Sequence, residues 1–171
     1  MIILGLGSNL SSKFGDRFKN IELAISFFES HNIKILKKSS FYETPSYPNK
    51  NNPKFINMVI SVKTDLKPFE LMSFLLSVEK KLGRLRDKKN DPRTCDLDII
   101  DYNNEIIEFI FENNNFFSPH KNLSYRNFVL YPLKEILPLW KHPVTNESID
   151  MLISKLSNED KRSILKIKNL L

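Results

Sequence analysis

Two aspartates separated by one residue form the part of the sequence best suited to chemistry. Asp96 and Asp98 are followed by an apolar, β-branched pair, and that context favours a strand. Because side chains alternate along a strand, both carboxylates share one face, and Cys95, Leu97 and Ile99 share the other. Carboxylates about 5 Å apart repel by about 3 kcal/mol at an effective dielectric near 20, and a hard cation such as Mg²⁺ removes that repulsion. The pattern predicts a metal–polyphosphate site, although an edge strand with a solvated acidic face is the simpler alternative.

A basic segment precedes the aspartates. Residues 84–89 read Arg-Leu-Arg-Asp-Lys-Lys, and Arg93 follows Pro92. A guanidinium group matches a pair of phosphate oxygens. A polyanion could bind these cations directly and the aspartates through a bound metal, and so bridge the basic and acidic parts of the site. The alternative is an ordinary solvated basic loop, which is the usual meaning of a run of charge.

Length and composition narrow the class of protein. The chain has 171 residues, 41% hydrophobic and 27% charged, with a net charge of +6, which is typical of one globular domain with an anionic partner. Either a nucleic acid or a nucleotide would suit that charge. A single cysteine excludes an internal disulfide, and we expect Cys95 to be a small buried hydrophobe in a reducing compartment. Without a signal peptide or an apolar run of about 20 residues, the chain is expected to be cytoplasmic.

Hydrophobic periodicity and turn residues predict alternating strands and helices. Strands are expected at 2–7, 33–43, 55–64, 96–102, 105–109 and 163–168. Helices are expected at 15–30, 68–82, 125–136 and 148–157, and irregular chain at 44–54 and 113–118. The turn at 103–104 is expected to form a hairpin between its flanking strands. The β-α-β, β-α-β order resembles a ferredoxin-like α+β sandwich with a central antiparallel sheet and an extended C-terminal portion, in a single domain spanning 1–171.

Seven blocks of sequence, in order, resemble the 6-hydroxymethyl-7,8-dihydropterin pyrophosphokinases of folate biosynthesis. The Pro-Arg-Thr-x-Asp-x-Asp block is highly specific, whereas the Gly-Ser-Asn and Pro-His pieces alone are not. The blocks are Gly-Ser-Asn-Leu at 7–10, Ser-Ser-Phe-Tyr-Glu-Thr-Pro at 39–45, Pro-Lys-Phe-Ile-Asn at 53–57, Glu-Lys-Lys-Leu-Gly-Arg at 79–84, Pro-Arg-Thr-Cys-Asp-Leu-Asp at 92–98, Pro-His at 119–120 and Arg-Asn-Phe-Val-Leu-Tyr-Pro-Leu at 126–133.

The resemblance implies transfer of diphosphate from ATP to the pterin hydroxymethyl oxygen, with release of AMP. It implies that Asp96 and Asp98 hold two Mg²⁺ ions, with Asp98 the candidate for helping the hydroxyl lose its proton. Arg84 and Arg93 would grip the phosphates and act with the aspartates in catalysis. The residues implied to contact ATP are Glu79, Arg86, Arg93, Ile99, His120 and Arg126. From the sequence alone, a structural turn is the favoured interpretation of His120, and a solvated helix face is the alternative for Arg126.

The resemblance also implies a pterin site. A flat polar heterocycle needs aromatic faces for stacking and amide groups for its edge. Phe55 and Phe128 match the family's stacking aromatics and Asn57 matches the amide, while Thr44, Pro45 and Tyr47 match the loop that contacts the ring. Ordinary core packing is the alternative for both phenylalanines. The family's loop tryptophan has no counterpart here, because the only tryptophan is Trp140.

Two rival classes remain open at this stage. A nucleic-acid-binding module would share the basic charge and the ferredoxin-like core, but the aromatic pattern of RNA-binding sheets is absent. A two-metal nucleotidyltransferase would share the Asp-x-Asp pair and Mg²⁺ but would release diphosphate instead of AMP. The expected partners are therefore two small molecules, ATP and a hydroxymethyl dihydropterin, bound by a monomer with neither nucleic acid nor membrane.

Overall fold

The computed structural model describes residues 1–84, 91–112 and 114–167. The strands are β1 (Ile2–Ser8), β2 (Lys34–Lys38), β3 (Tyr42–Thr44), β4 (Phe55–Lys63), β5 (Asp96–Tyr102), β6 (Ile107–Phe111), β7 (Asn114–Ser118) and β8 (Leu165–Lys166). The helices are α1 (Arg17–Ser30), α2 (Pro68–Lys81), α3 (Asn127–Ile136), α4 (Ile149–Lys155) and α5 (Asn158–Ser163), with a 3₁₀ turn at Leu123–Tyr125.

The central sheet has the strand order β5-β1-β4-β3-β8. Strand β2 also pairs with β4, on the same edge as β3. Every described pairing in it is antiparallel. With β2 and β3 counted as one interrupted strand, the connection β1-α1-β2/β3-β4-α2-β5 repeats a β-α-β unit and gives the ferredoxin-like arrangement. The predicted α+β sandwich with its C-terminal extension is confirmed.

The two faces of the sheet support different layers. Leu4, Leu6 and Ile60 lie in a buried cluster with α1 and α2, and Leu97 and Ile99 join that cluster from β5. Ile3, Val59 and Ile100 lie in a second cluster with α3 and α4. Because Leu97 and Ile99 point toward α1 and α2, alternation turns Asp96 and Asp98 toward the α3 side, as the sequence predicted.

Local chemistry explains where the two large helices begin. The Asp16 side chain accepts a hydrogen bond from Lys19 N at 2.9 Å and caps α1. Pro68 opens α2, where a missing N–H leaves nothing unsatisfied, and Glu70 accepts from Lys67 N at 2.7 Å.

No helix in the described part of the chain is long and apolar enough to cross a membrane.

The strand predicted at 33–43 is interrupted. It divides into β2 and β3, and residues 39–41 leave the ladder between them. Ser39 Oγ accepts from Val59 N at 3.0 Å, in the place of a backbone carbonyl. Side chains of serine compete with the backbone in this way, which periodicity does not register.

The predicted hairpin between the aspartate strand and the next strand is wrong. Asn103 and Asn104 do form a turn with positive φ angles of 57° and 58°, but β6 pairs with β7 instead of β5. Phe109 and Phe116 are partners in that register and stack with ring centroids 4.5 Å apart. This aromatic pair stabilises a separate two-stranded sheet, so the segment predicted to be irregular at 113–118 contains β7.

The C-terminal portion also differs in detail from its prediction. The helix predicted at 125–136 starts as a 3₁₀ turn and becomes α-helical at Asn127, and the helix predicted at 148–157 ends at Lys155. The short helix α5 was not predicted, because none of its residues is buried and it has no apolar stripe. The final strand is reduced to two residues.

Glu135 joins α3 to the sheet and provides a pH-dependent contribution to stability. Its carboxylate accepts from Tyr42 OH at 2.8 Å and Ser40 Oγ at 2.8 Å, and it pairs with Lys166 at 3.1 Å. Burial alone would raise the pKa of Glu135, but these hydrogen bonds outweigh it and hold the pKa below its ordinary value of 4.5.

We therefore expect Glu135→Gln to lose about 1 kcal/mol of unfolding free energy at pH 7. A depressed folded-state pKa stabilises the protein above the unfolded-state value, and that stabilisation is lost as pH falls through the folded-state pKa. The difference from wild type should therefore shrink as the pH drops below about 4.5 in urea titrations. Glu29→Gln, at an exposed position of α1, is the control. A difference that persists undiminished in acid would contradict the explanation.

Candidate functional site

The candidate site is a concave surface on the α3 side of the sheet, where β5, β1 and β4 lie side by side. Gly7 pairs with Asn57 on one side and with Asp96 on the other, so these residues form one row across the three strands. A Cβ added at Gly7 would lie 3.4 Å from Asn57 Oδ1 and 3.5 Å from Phe55 Cδ1. The missing side chain of Gly7 therefore leaves the floor of the concavity open. The concavity holds about 290 Å³ of empty space, its open mouth included.

Asp96 lies between two arginines. Arg84 Nη1 is 2.6 Å from Asp96 Oδ1, and Arg93 Nη2 is 2.5 Å from Asp96 Oδ2. Burial alone would raise the pKa of Asp96, but the guanidinium groups of Arg93 and Arg84 outweigh it and hold the pKa below its usual value. The arginines thus supply, at Asp96, positive charge of the kind that the sequence assigned to a metal.

Glu79 lies behind Arg84. Its side chain is only 2% exposed, contacts the Arg84 guanidinium, and accepts from Leu97 N at 2.8 Å. A buried carboxylate needs such partners, since desolvation alone would cost several kcal/mol. The pKa of Arg84 is raised, because the carboxylates of Asp96 and Glu79 outweigh the opposing effect of burial. Glu79 therefore orients Arg84 instead of lying open at the surface of the site.

Asp98 is the more accessible aspartate. Its side chain is 39% exposed, against 20% for Asp96, and Arg126 Nη1 lies 3.2 Å from Asp98 Oδ2. Arg126 Nη1 is also 3.4 Å from His120 Nε2. Burial and the charge of Arg126 lower the pKa of His120, although the carboxylate of Asp98 opposes them. The structure thus brings His120 and Arg126 to the aspartates from a distant part of the chain.

Two of the arginines also cover aromatic rings. The Arg93 guanidinium carbon lies 4.9 Å from the centroid of Phe55, and that of Arg126 lies 5.5 Å from the centroid of Phe128. Each arginine therefore contacts one carboxylate and one aromatic face. The Arg93 Nε is buried and finds no hydrogen-bond partner within the described part of the chain. An unsatisfied donor of this kind is suited to an incoming anion.

Polar residues of β3 and β4 form the opposite wall. Asn57 Nδ2 donates to Thr44 Oγ1 at 3.0 Å and to Tyr42 O at 3.4 Å, which fixes the amide plane. Asn57 Oδ1 then faces Gly7 and the concavity. Phe128 lines the concavity from the start of α3, and Pro45 follows Thr44 at the end of β3.

Two predicted site residues are not gathered into this surface. Tyr47 is 81% exposed, in the loop between β3 and β4. The Ile99 side chain is buried in the α1–α2 cluster, so only its backbone remains near the site. Arg86 lies outside the described residues.

Cys95 is buried, and burial raises the pKa of its thiol, as expected of a structural cysteine.

Sequence reasoning missed the role of Asn9. Its side chain accepts from Arg93 N at 2.7 Å and donates to Ser46 Oγ at 3.2 Å and Pro53 O at 3.0 Å. Asn9 therefore ties the arginine segment to the loop between β3 and β4. The only signal in the sequence was its position in the Gly-Ser-Asn block.

The lone tryptophan is structural, since Trp140 Nε1 donates to the buried carboxylate of Asp101 at 2.8 Å.

The carboxylates of Asp96 and Asp98 suit Mg²⁺ as part of a larger set of ligands. No group of three or more His, Cys, Asp or Glu side chains converges as a metal site in residues 1–84, 91–112 and 114–167. Asp96 and Asp98 offer carboxylate oxygens only, which suits a hard cation that takes its remaining ligands from water and substrate phosphates. A metal ion held by the protein alone would need more ligands than this surface offers.

The ferredoxin-like fold and the carboxylate–arginine surface together define an α+β protein with a site suited to phosphate groups. Residues 3–138 match the family model described as 7,8-dihydro-6-hydroxymethylpterin-pyrophosphokinase. The chain belongs to this family.

Relatives of known name support the assignment. The chain is 36% identical over 148 residues to the 2-amino-4-hydroxy-6-hydroxymethyldihydropteridine pyrophosphokinase of Bacillus subtilis (strain 168), covering 86% of this chain and 84% of that protein. It is 38% identical over 143 residues to the protein of the same name from Aquifex aeolicus, covering 84% of each. It is 37% identical over 164 residues to the folic acid synthesis protein fol1 of Pneumocystis carinii, covering 96% of this chain but only 21% of that longer protein.

Solved structures agree on the fold. Wild-type Plasmodium falciparum HPPK-DHPS with pteroate superposes with a TM-score of 0.76 at 17% identity, over 99% of this chain and 48% of that chain. The chain therefore spans about half of that longer protein and about a fifth of the fungal relative.

Proposed function

We propose that this chain transfers the diphosphate of ATP to 6-hydroxymethyl-7,8-dihydropterin, producing AMP and the pterin diphosphate. The observation that carries the proposal is one concave surface that combines both parts of such a site. Asp96 and Asp98 lie there among three arginines, beside Phe55, Asn57 and Phe128. A charged polyphosphate and a flat heterocycle can thus meet at adjoining positions.

The arginines account for the handling of phosphate. In the reaction, the hydroxymethyl oxygen attacks the β-phosphorus of ATP, and the bond from that phosphorus to the oxygen bridging to the α-phosphorus breaks. AMP leaves with the bridging oxygen. Arg84 and Arg93 converge on Asp96, so an arriving phosphate would share their donors and neutralise charge that builds up on the transferred group.

The two aspartates have different roles in this proposal. Asp96 is held by two short ion pairs, whereas Asp98 makes one longer pair and is more exposed. We assign Asp96 mainly to metal binding and Asp98 to metal binding together with help for the hydroxyl proton. Two Mg²⁺ ions at these carboxylates would supply charge neutralisation at the phosphate oxygens when bound. Before metal ions could bind these carboxylates, Arg93 and Arg126 would exchange their carboxylate contacts for contacts with phosphate.

The remaining contacts complete the substrate sites. For ATP we propose Glu79 acting through Arg84, His120 and Arg126 beside Asp98, the Ile99 backbone, and Arg86. For the pterin we propose Phe55 and Phe128 as stacking faces, Asn57 Oδ1 as an acceptor, and the loop residues Thr44, Pro45 and Tyr47. All of these belong to one chain, which supports a complete site within a monomer and a single domain over 1–171.

The test measures products. Purified protein with ATP, Mg²⁺ and 6-hydroxymethyl-7,8-dihydropterin should form AMP, and AMP should be absent when either the pterin or Mg²⁺ is omitted. Formation of ADP, or of free diphosphate as the main product, would overturn the proposal. Free diphosphate in particular would favour a nucleotidyltransferase.

Gly7 offers a test of the pterin position. Gly7→Ala should fold normally, because the added methyl would make ordinary contacts at 3.4 Å and beyond. It would nevertheless occupy the floor between Asn57 and Asp96, and we expect the pterin KM to rise about tenfold or more. The ATP KM should change much less. Gly5→Ala is the comparison: Gly5 also lines the concavity, but its neighbour on β5 is Asp98 instead of Asp96, and its methyl would meet Ile100 at 3.2 Å. Equal pterin defects in both variants would contradict this placement.

A further inference from the structure

The C-terminal segment 158–167, formed by α5 and β8, lies outside the residues matched by the family model. It nevertheless contacts both sides of the concavity. On one side β8 pairs with β3, where Lys166 is opposite Tyr42, and Ile167 N donates to Phe41 O at 2.9 Å. Strand β3 ends at Thr44, whose hydroxyl orients Asn57. The segment thus supports the wall that carries the amide.

On the other side, Asn127 joins the segment to α3. Asn127 Nδ2 donates to Asp160 O at 2.7 Å and to Ser163 Oγ at 3.1 Å. Asp160 O lies in the last turn of α5, where it also accepts a hydrogen bond from Ser163 Oγ at 3.1 Å. Asn127 is 7% exposed, so without these two acceptors its amide would be a buried unsatisfied donor, which is costly.

The position of this contact in α3 matters for the site. Asn127 is the first residue of α3, and the preceding Arg126 makes no side-chain cap to the helix. The next residue is Phe128, which is partly buried and lines the concavity. A first helical turn without a cap is prone to fray. The bonds of Asn127 to α5 tie that turn, which also carries Phe128, to segment 158–167.

We propose that segment 158–167 is a positioning element for the pterin site and that it acts on Phe128 through Asn127. The inference rests on the proposed function for its substrate. Arg126 has anchors of its own, since its N–H donates to Leu123 O at 3.2 Å and its guanidinium pairs with Asp98. Loss of the Asn127 contacts should therefore disturb the pterin more than ATP.

The experiment compares Asn127→Ala with Ser148→Ala. Ser148 caps α4 by accepting from Met151 N at 3.2 Å, so its loss destabilises the same C-terminal region without touching Asn127 or β8. We expect Asn127→Ala to raise the pterin KM about tenfold, with kcat and the ATP KM within about twofold of wild type. Ser163→Ala, which removes the weaker acceptor, should give a smaller rise. Ser148→Ala should lower the melting temperature without changing the pterin KM.

Hydrogen–deuterium exchange supplies a readout independent of turnover. Asn127→Ala should speed exchange in residues 158–167 and in β3, and Ser148→Ala should not. An unchanged pterin KM, or the same rise in both alanine variants, would overturn the proposal. If the wild type forms no AMP at all, the proposed function fails. The exchange comparison then still decides whether Asn127 couples the segment to α3.

Discussion

Replacement of Asp98 by alanine is expected to lower kcat by about 10³-fold or more with little change in stability. The reason is that Asp98 is proposed to hold metal and to assist the hydroxyl proton, and both roles act on the transition state. Its only described ion pair, to Arg126 at 3.2 Å, is partly exposed, and such pairs contribute about 1 kcal/mol at most. Initial rates of AMP formation and thermal unfolding of the same preparations measure the two effects.

Asp96→Ala and Asp150→Ala complete the comparison. Asp96→Ala should lose as much turnover but should also be less stable, because it leaves Arg93 without its carboxylate in a partly buried site. Asp150 forms an exposed ion pair with Lys134 at 2.5 Å, and neither residue lines the concavity. Asp150→Ala should therefore keep full turnover. A fall in stability for Asp98→Ala as large as that for Asp96→Ala would show that Asp98 is structural.

The second large effect is expected at Arg93. Arg93→Ala should lower kcat by about 100-fold, because a guanidinium that binds the transferring phosphate acts mainly in the transition state. The pterin KM should change little. Arg93 covers Phe55, and its removal leaves that ring free to stack.

Arg93→Lys separates charge from geometry. Lysine keeps the positive charge but loses the planar pair of donors that contacts Asp96, so we expect kcat to remain well below wild type. Lys19→Ala removes an exposed cation from α1, which packs on the opposite face of the sheet, and is the control. Losses of equal size in pterin binding and in turnover for Arg93→Ala would show that this arginine contacts the pterin and that its placement is wrong.

The sequence by itself determined the features that depend on neighbouring residues. Alternation along β5 placed Asp96 and Asp98 on one face and Leu97 on the other, because a strand has a side-chain period of two. Hydrophobic periodicity and turn residues located the starts of α1 and α2 within two residues. The order of these elements was enough to predict the ferredoxin-like sheet, since connections in such units are strongly restricted.

The tertiary structure alone decided which distant groups meet. Asn9 and Arg93 are 84 positions apart, and Asn127 reaches Asp160 across 33 positions, separations that no local periodicity encodes. The pairing of β6 with β7 was likewise decided by aromatic contacts across the hairpin, against a turn at 103–104 that favoured β5. Polar contacts depend on the three-dimensional path of the chain and on which buried donors still need acceptors. For that reason the sequence predicted the arginines of the site, but their contacts with Asp96, Asp98, Phe55 and Phe128 were decided by the fold.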